Sequence, residues 1–163
     1  MAVSLSCLAS CGSDPLDSCD EETDGTLDCS FAELNNVDLS GRDLRNVDLF
    51  GTLHGTDLSQ ANLSGVDLSF NYLKDTDFSG ANLEGVDFSE SILEWVDFSG
   101  ANLSGANFFA AHGRDQNFSG ADLSGANLYG TDFSTWEFTG AKADDETVWP
   151  EGFDPEAAGV IFE

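Results

Sequence analysis

Basic residues are nearly missing from this chain. Its 163 residues hold five Lys and Arg against 31 Asp and Glu, a formal net charge of −26. Such a surface repels polyphosphate backbones and anionic membranes, which excludes nucleic acid as a partner. It suits cationic partners, or none. No apolar run approaches the roughly 18 residues that mark a membrane-spanning helix. A link to a membrane would therefore run through an N-terminal lipid anchor. Histidine is scarce too: only His54 and His112. Beyond Cys29 there is no cysteine at all.

What the chain does have is a beat. Leu or Phe recurs every fifth position at Leu58, Leu63, Leu68, Leu73, Phe78, Leu83, Phe88, Leu93, Phe98, Leu103 and Phe108. After an interruption it resumes at Phe118, Leu123, Leu128, Phe133 and Phe138. A helix would smear a five-residue step around its cylinder, and a strand would throw alternate members to opposite faces. The chain must instead turn once per unit. The unit reads Ala/Val-Asp/Asn-Leu/Phe-Ser-Gly, with the Leu or Phe and the small residue two before it pointing inward. Asp, Asn, Ser and Gly lie outside, where turns need them.

A second period lies on the first. Ala61-Asn62-Leu63, Ala81-Asn82-Leu83, Ala101-Asn102-Leu103 and Ala121-Asp122-Leu123 recur every 20 residues, so one coil has four sides. Equivalent residues then stack coil on coil at about 4.8 Å, the spacing of paired strands. With 22 such units in series, from about residue 27 to 143, the chain resembles the pentapeptide repeat family. The resemblance implies an all-β protein, a right-handed quadrilateral β-helix. The regions expected are an N-terminal signal or lipobox remnant with an acidic flexible arm (1–26), the solenoid (27–143) and a C-terminal cap (144–163).

Departures from the beat mark irregular places. Leu34, Leu39, Leu44 and Leu49 keep the spacing, but the step from Leu49 to Leu53 is four residues, a deletion or bulge at a corner. Arg42, Asn71, Gln116 and Trp136 occupy inward positions. Arg42 is expected near an open end with its guanidinium in solvent, because an unpaired buried charge is very unfavourable. Gly113 replaces the central Leu of its unit and predicts a local bulge. In the cap, Asp154, Pro155 and Gly159 frame one helical turn. Trp149, Phe153, Ile161 and Phe162 are expected to cover the last coil.

All four cysteines, Cys7, Cys11, Cys19 and Cys29, lie at the N-terminus. Leu8-Ala9-Ser10-Cys11 resembles a bacterial lipobox, which implies lipidation of Cys11 and a place at the cell envelope or periplasm. No Lys or Arg precedes Cys11, unlike the basic start of a signal peptide. The alternative is an acidic arm with incidental thiols on a cytoplasmic protein. In an exported protein, Cys19 and Cys29 can pair as a disulfide that ties the arm to the first coil. The cysteine spacings match no metal site, and no metal or other cofactor is expected.

Fifteen acids lie before residue 37 or after residue 143, and the stretch between has a net charge of −11. Its Asp columns, Asp57-Asp77-Asp97 and Asp67-Asp87, are read as bonding to corner amides. The outward residues separate the four sides. Three follow the consensus. The fourth, centred on Leu53, Leu73, Leu93, Gly113 and Phe133, carries both histidines and exposed aromatics amid mixed charge. Its candidate partner-binding residues are His54, Tyr72, Lys74, Ile92, Glu94, Trp95, His112, Arg114 and Asp115, a composition typical of recognition surfaces. The competing reading is a tolerant surface with a weak ion-pair ladder.

No catalytic constellation is present. His54 and His112 stand about three coils apart, roughly 14 Å at strand spacing, and the glycines are turn residues rather than a phosphate loop. The expected function is a non-enzymatic structural or interaction scaffold, tethered to the envelope, that binds a protein partner through the fourth side. Its state would be a monomer or an end-to-end dimer. The family suggests an alternative, a DNA-mimicking inhibitor or protector of DNA gyrase, although this cap does not resemble the dimerisation tail of its quinolone-resistance members.

Overall fold

A computed structural model describes residues 14–30, 32, 34–51, 53–132 and 135–163. Cys7 and Cys11, and with them the lipobox, lie outside the described residues, as do Thr52, Phe133 and Ser134.

The chain winds as a right-handed quadrilateral β-helix. One unit shows why the sequence folds this way. In 101–105 the Ala101 N–H turns back to Phe98 O (3.0 Å), Asn102 N–H reaches Ala81 O on the preceding coil (2.9 Å), and Leu103 N–H reaches Asp122 O on the following one (2.8 Å). Gly105 N–H also donates to the following coil, at Ser124 O (2.8 Å). The Ser104 N–H has no backbone partner and donates instead to Asn102 Oδ1 (3.1 Å). Every donor of the unit is thereby satisfied, as backbone buried this closely requires. The Asp or Asn of the motif is the acceptor that completes the set, so the Asp columns do bond to corner amides. Asp57, Asp67, Asp77, Asp87 and Asp97 each accept the N–H two residues on, at 2.8–2.9 Å.

The ladders follow the 20-residue period. One side stacks Asp57, Asp77, Asp97, Asn117 and Glu137, another Asn62, Asn82, Asn102, Asp122 and Lys142, a third Asp67, Asp87, Asn107 and Asn127. Inside, Leu and Phe are fully buried. Phe78, Phe98, Phe118 and Phe138 stack at 5.4, 4.9 and 5.2 Å between ring centroids. The Phe88–Phe108 pair stacks beside them at 4.9 Å and meets that column edge-on.

The four-residue step from Leu49 to Leu53 is absorbed at a corner. Asp38 pairs with Asp57 and Asp43 with Asn62, a 19-residue coil. Asn71, an inward amide, repairs the corner by accepting the Gly51 N–H (2.7 Å) and donating to Leu49 O (3.2 Å). Near the other end Asn127 pairs with Val148, a 21-residue coil that the Leu beat does not announce. Trp136 is accommodated inside by stacking on Phe118 at 5.3 Å.

Both ends are covered. Pro15–Ser18 form a 3-10 turn, and β1 (Asp20–Glu21) folds back antiparallel on β2 (Leu27–Asp28), which pairs in parallel with β3 (Val47–Asp48). The described part of the arm expected to be flexible is thus laid on the first coil. Leu16 and Cys19 pack against its core, and Cys19 and Cys29 are joined by a disulfide. Arg42 does not simply face solvent: it is half-exposed and pairs with Asp14 at 2.8 Å.

At the C-terminal end Asp144 fastens the cap, accepting from the N–H groups of Gly125 (2.9 Å), Glu146 (3.0 Å) and Thr147 (3.0 Å). Trp149 and Phe153 stack at 5.1 Å over Phe138. Asp154 accepts the Ala157 N–H (3.0 Å), and Ala158 N–H closes a single turn on Asp154 O (3.1 Å). The chain then enters β8 (Ile161–Phe162), parallel to β7 (Lys142–Ala143). Ile161 and Phe162 do not cover the coil, as their hydrophobicity suggested. They are exposed, and Val160 is the residue that turns inward.

Candidate functional site

On the irregular side three consecutive coils form regular strands, each of three residues. β4 (Tyr72–Lys74), β5 (Ile92–Glu94) and β6 (His112–Arg114) make a parallel three-stranded sheet in register. The bulge expected at Gly113 does not occur: Gly113 pairs with Leu93. The space its missing side chain leaves is used by Gln116, whose amide Nε2 donates to Leu93 O and to Arg114 O (2.9 Å). Thr56 and Thr76, each one residue past a left-handed corner (Gly55 and Asp75), do the same with hydroxyls, donating to Leu34 O and Leu53 O. These inward polar residues bond to backbone carbonyls, which makes them tolerable inside.

Six of the nine sequence-predicted residues converge. The Glu94 carboxylate accepts from the Tyr72 hydroxyl (3.0 Å) on one oxygen and from Arg114 Nη2 (3.3 Å) on the other. Arg114 lies 4.5 Å over the Trp95 ring, and Lys74 Nζ lies 5.4 Å from it. Cations over an indole face are attracted by its quadrupole. The hydrogen bond to Glu94 raises the Tyr72 phenol above its ordinary value, since ionising it would set two anions side by side. His54 meets Tyr72 edge-on at 4.7 Å between centroids. Ile92 and His112 share the Tyr72 column, and His112 Nδ1 lies 3.5 Å from Ala110 O. Asp115 stands apart at the corner, its N–H donating to Thr135 Oγ1 (2.9 Å).

Sequence reading missed a second feature of this side. Phe50, Phe70, Phe109 and Tyr129 are exposed along the corner that leads into it, Phe70 at 63% and Tyr129 at 55%. Phe109 and Tyr129 stack at 6.2 Å. With Ile92 and Trp95 they are the exposed large hydrophobics of the solenoid among the described residues; the others, Val148, Ile161 and Phe162, belong to the C-terminal cap. The signal was present in the sequence: an aromatic ring in a slot that the motif gives to Ser or Gly.

Both corners bounding this side are also strained. Phe70, Glu90 and Ala110 on one, and Asp75, Trp95 and Asp115 on the other, have φ between 53° and 59°. Left-handed backbone costs a non-glycine residue about 1 kcal/mol or more. The corners at 65, 85, 105, 125 and at 80, 100, 120, 140 use glycine for the same conformation. Left-handed side chains are thus gathered chiefly around this face, at a cost in stability; Gln60, at the head of the 80–140 column, is an exception on another side.

A groove of about 400 Å³ opens beside the N-terminal end of the aromatic corner, lined among others by Thr26, Arg45, Val47, Asp48, Phe50, Val66 and Asp67. Among the described residues, no group of three or more His, Cys, Asp or Glu is gathered to hold a metal, and no helix is long and apolar enough to cross a membrane.

A family model for pentapeptide repeats matches eight copies, over residues 28–69, 53–90, 91–134 and 117–144. The chain belongs to the pentapeptide repeat family. Solved structures of other members resemble it. Rfr23 from the cyanobacterium Cyanothece 51142 is 26% identical over 71% of this chain and 86% of its own, with a TM-score of 0.38. Alr5209 from Nostoc PCC 7120 is 28% identical over 77% of this chain and 84% of its own, TM-score 0.31. QnrB1, a plasmid-mediated fluoroquinolone resistance protein, is 19% identical over 80% of this chain and 81% of its own, TM-score 0.35. No curated protein matches the chain. Pentapeptide repeat proteins are generally non-enzymatic structural or interaction proteins.

Proposed function

We propose that this pentapeptide repeat protein is an interaction scaffold that binds a protein partner through its fourth side. The observation that carries this reading is the segregation, among the described residues, of the solenoid's exposed aromatic rings and Ile92 to that side and its leading corner. A merely tolerant surface would scatter them. The strained corners support it, since strain is kept where a side chain has work to do. The contact residues are Tyr72, Lys74, Ile92, Glu94, Trp95, Arg114, His54, His112 and Asp115, extended by Phe70 and Phe109. A Tyr72→Ser/Trp95→Ser double variant is expected to lose the partner while its melting temperature stays within a few degrees of the parent. Retained binding at equal stability would refute the reading.

The same reading sets the protein at the cell envelope through a lipidated Cys11. The Cys19–Cys29 disulfide supports export, because such bonds persist in oxidising compartments. The gyrase alternative draws on the net charge, but a DNA mimic needs an evenly anionic face, and the aromatic corner interrupts it. A supercoiling assay with purified gyrase separates the two: inhibition or protection at micromolar protein would favour mimicry.

A further inference from the structure

We propose that the groove beside Phe50 is a receptor for an arginine or lysine side chain of the partner polypeptide; this rests on the binding-face reading and deepens it. The lining combines what a long cationic side chain needs. Val47 and Val66 offer apolar walls for its methylenes, and Phe50, half-exposed, offers a ring face for the charge. Asp48 and Asp67 supply carboxylates. Each uses Oδ1 on a turn, accepting from the N–H of Phe50 (3.0 Å) and Ser69 (2.9 Å), so the other oxygen is left for a ligand. Arg45 does not neutralise them. Its guanidinium is held in a two-point bond by Asp43, at 2.8 and 2.7 Å, which also holds the Asp43 carboxyl below its ordinary range.

Charge complementarity selects the occupant. A second copy of this chain, at −26, is repelled, and so are nucleic acid and anionic lipid. A basic segment is attracted. Phe50 lines the groove and the exposed Phe70 follows Ser69 of its lining, so apolar rings adjoin the cation site, which a polypeptide uses and a free amine does not.

The test is titration of the full chain with an N-acetylated, amidated peptide, Arg-Ser-Leu-Ser-Leu-Ser-Leu-Ser, followed by ¹H–¹⁵N shifts. Its alternate side chains place one Arg and three Leu on one face of an extended strand. The expected result is shifts at Val47, Asp48, Phe50, Val66 and Ser69, and a loss of roughly tenfold in affinity in Asp48→Asn/Asp67→Asn. Asparagine keeps the Oδ1 that each turn uses, as Asn107 and Asn127 do in the same column, so the fold survives while the charge is lost. The control, Asp77→Asn/Asp97→Asn, removes two charges from another side and should change affinity less than twofold. Equal weakening by both variants would reduce the effect to bulk attraction and overturn the proposal. So would equal binding of the peptide with Glu for Arg, equal binding of N-acetyl-arginine amide, or no binding at millimolar peptide. None of these failures touches the binding-face reading, which the Tyr72/Trp95 variant tests separately.

Discussion

Replacing Gly113 by alanine probes the least expected part of the structure. Gly113 lies in β6 with φ at 148°, a conformation that side chains rarely adopt. A Cβ there would overlap the Leu93 carbonyl oxygen on β5 and come within 3.0 Å of Gln116 Nε2. The oxygen belongs to backbone and cannot swing away. Backbone strain of about 1–3 kcal/mol adds to overpacking of about 1–3 kcal/mol, so a loss of about 2–6 kcal/mol is expected. For a chain of this length each kcal/mol lowers the melting temperature by about 2–4 °C, which gives roughly 4–24 °C, centred near 12 °C. Gly105→Ala is the matched comparison. Its φ of 66° is also left-handed, but nothing lies within 4 Å of the added methyl. It should cost about 1–2 kcal/mol. Thermal unfolding of the two variants, followed by circular dichroism at one ionic strength, decides the matter. If Gly113→Ala melts no lower than Gly105→Ala, the pairing of Gly113 with Leu93 is wrong and a bulge must replace it.

Other expectations concern the two ends. Asp144 is held below the ordinary carboxylate range, chiefly by the Gly125 N–H, and Asp14 likewise, chiefly by the Leu16 N–H and then Arg42. A folded value below the unfolded one of about 3.9 stabilises above that value, and the contribution is lost as pH falls through the lowered folded value. Asp144→Asn should therefore melt below the parent at pH 7, with the gap closing between about pH 4 and 2; a gap independent of pH would show that the charge does not matter. Reduction of the Cys19–Cys29 bond should free the N-terminal cap locally, because repeats are stabilised mainly by their neighbours. Hydrogen exchange should then accelerate at the Leu27 and Cys29 amides, which donate to Asn46 O and Asp48 O, and stay slow in β4–β6. Uniform acceleration would mean that the cap supports the whole solenoid.

The solenoid was legible because the five-residue beat leaves the backbone one way to bury every Leu and Phe. The short coil was legible for the same reason, as the spacing from Leu49 to Leu53 states it directly. The long coil ending at Val148 was not, because the cap carries no beat to count. Gly113 misled because a missing core side chain reads as a break, whereas the Gln116 amide three residues on fills the space and bonds to the strand. Ile161 and Phe162 misled through their hydrophobicity: Val160 turns inward, while Ile161 and Phe162 pair along β7 with their side chains at the surface. Sorting outward positions by the 20-residue period found the side that carries Tyr72, Glu94 and Trp95. It missed Phe50, Phe70, Phe109 and Tyr129, because those rings replace turn residues at a corner rather than residues on a face. The pairing of Arg42 with Asp14 joins segments 28 positions apart with no repeat relation between them, so no periodic argument reaches it.

The central claim is that one side of this solenoid meets a partner and the others do not. The most direct measurement places a photo-crosslinking amino acid at Ile92, on the fourth side, or at Glu84, on a consensus side, and irradiates the native cells. The account predicts a discrete crosslinked protein from position 92 and none from position 84. Equal crosslinking from both positions, or none from either, would contradict it.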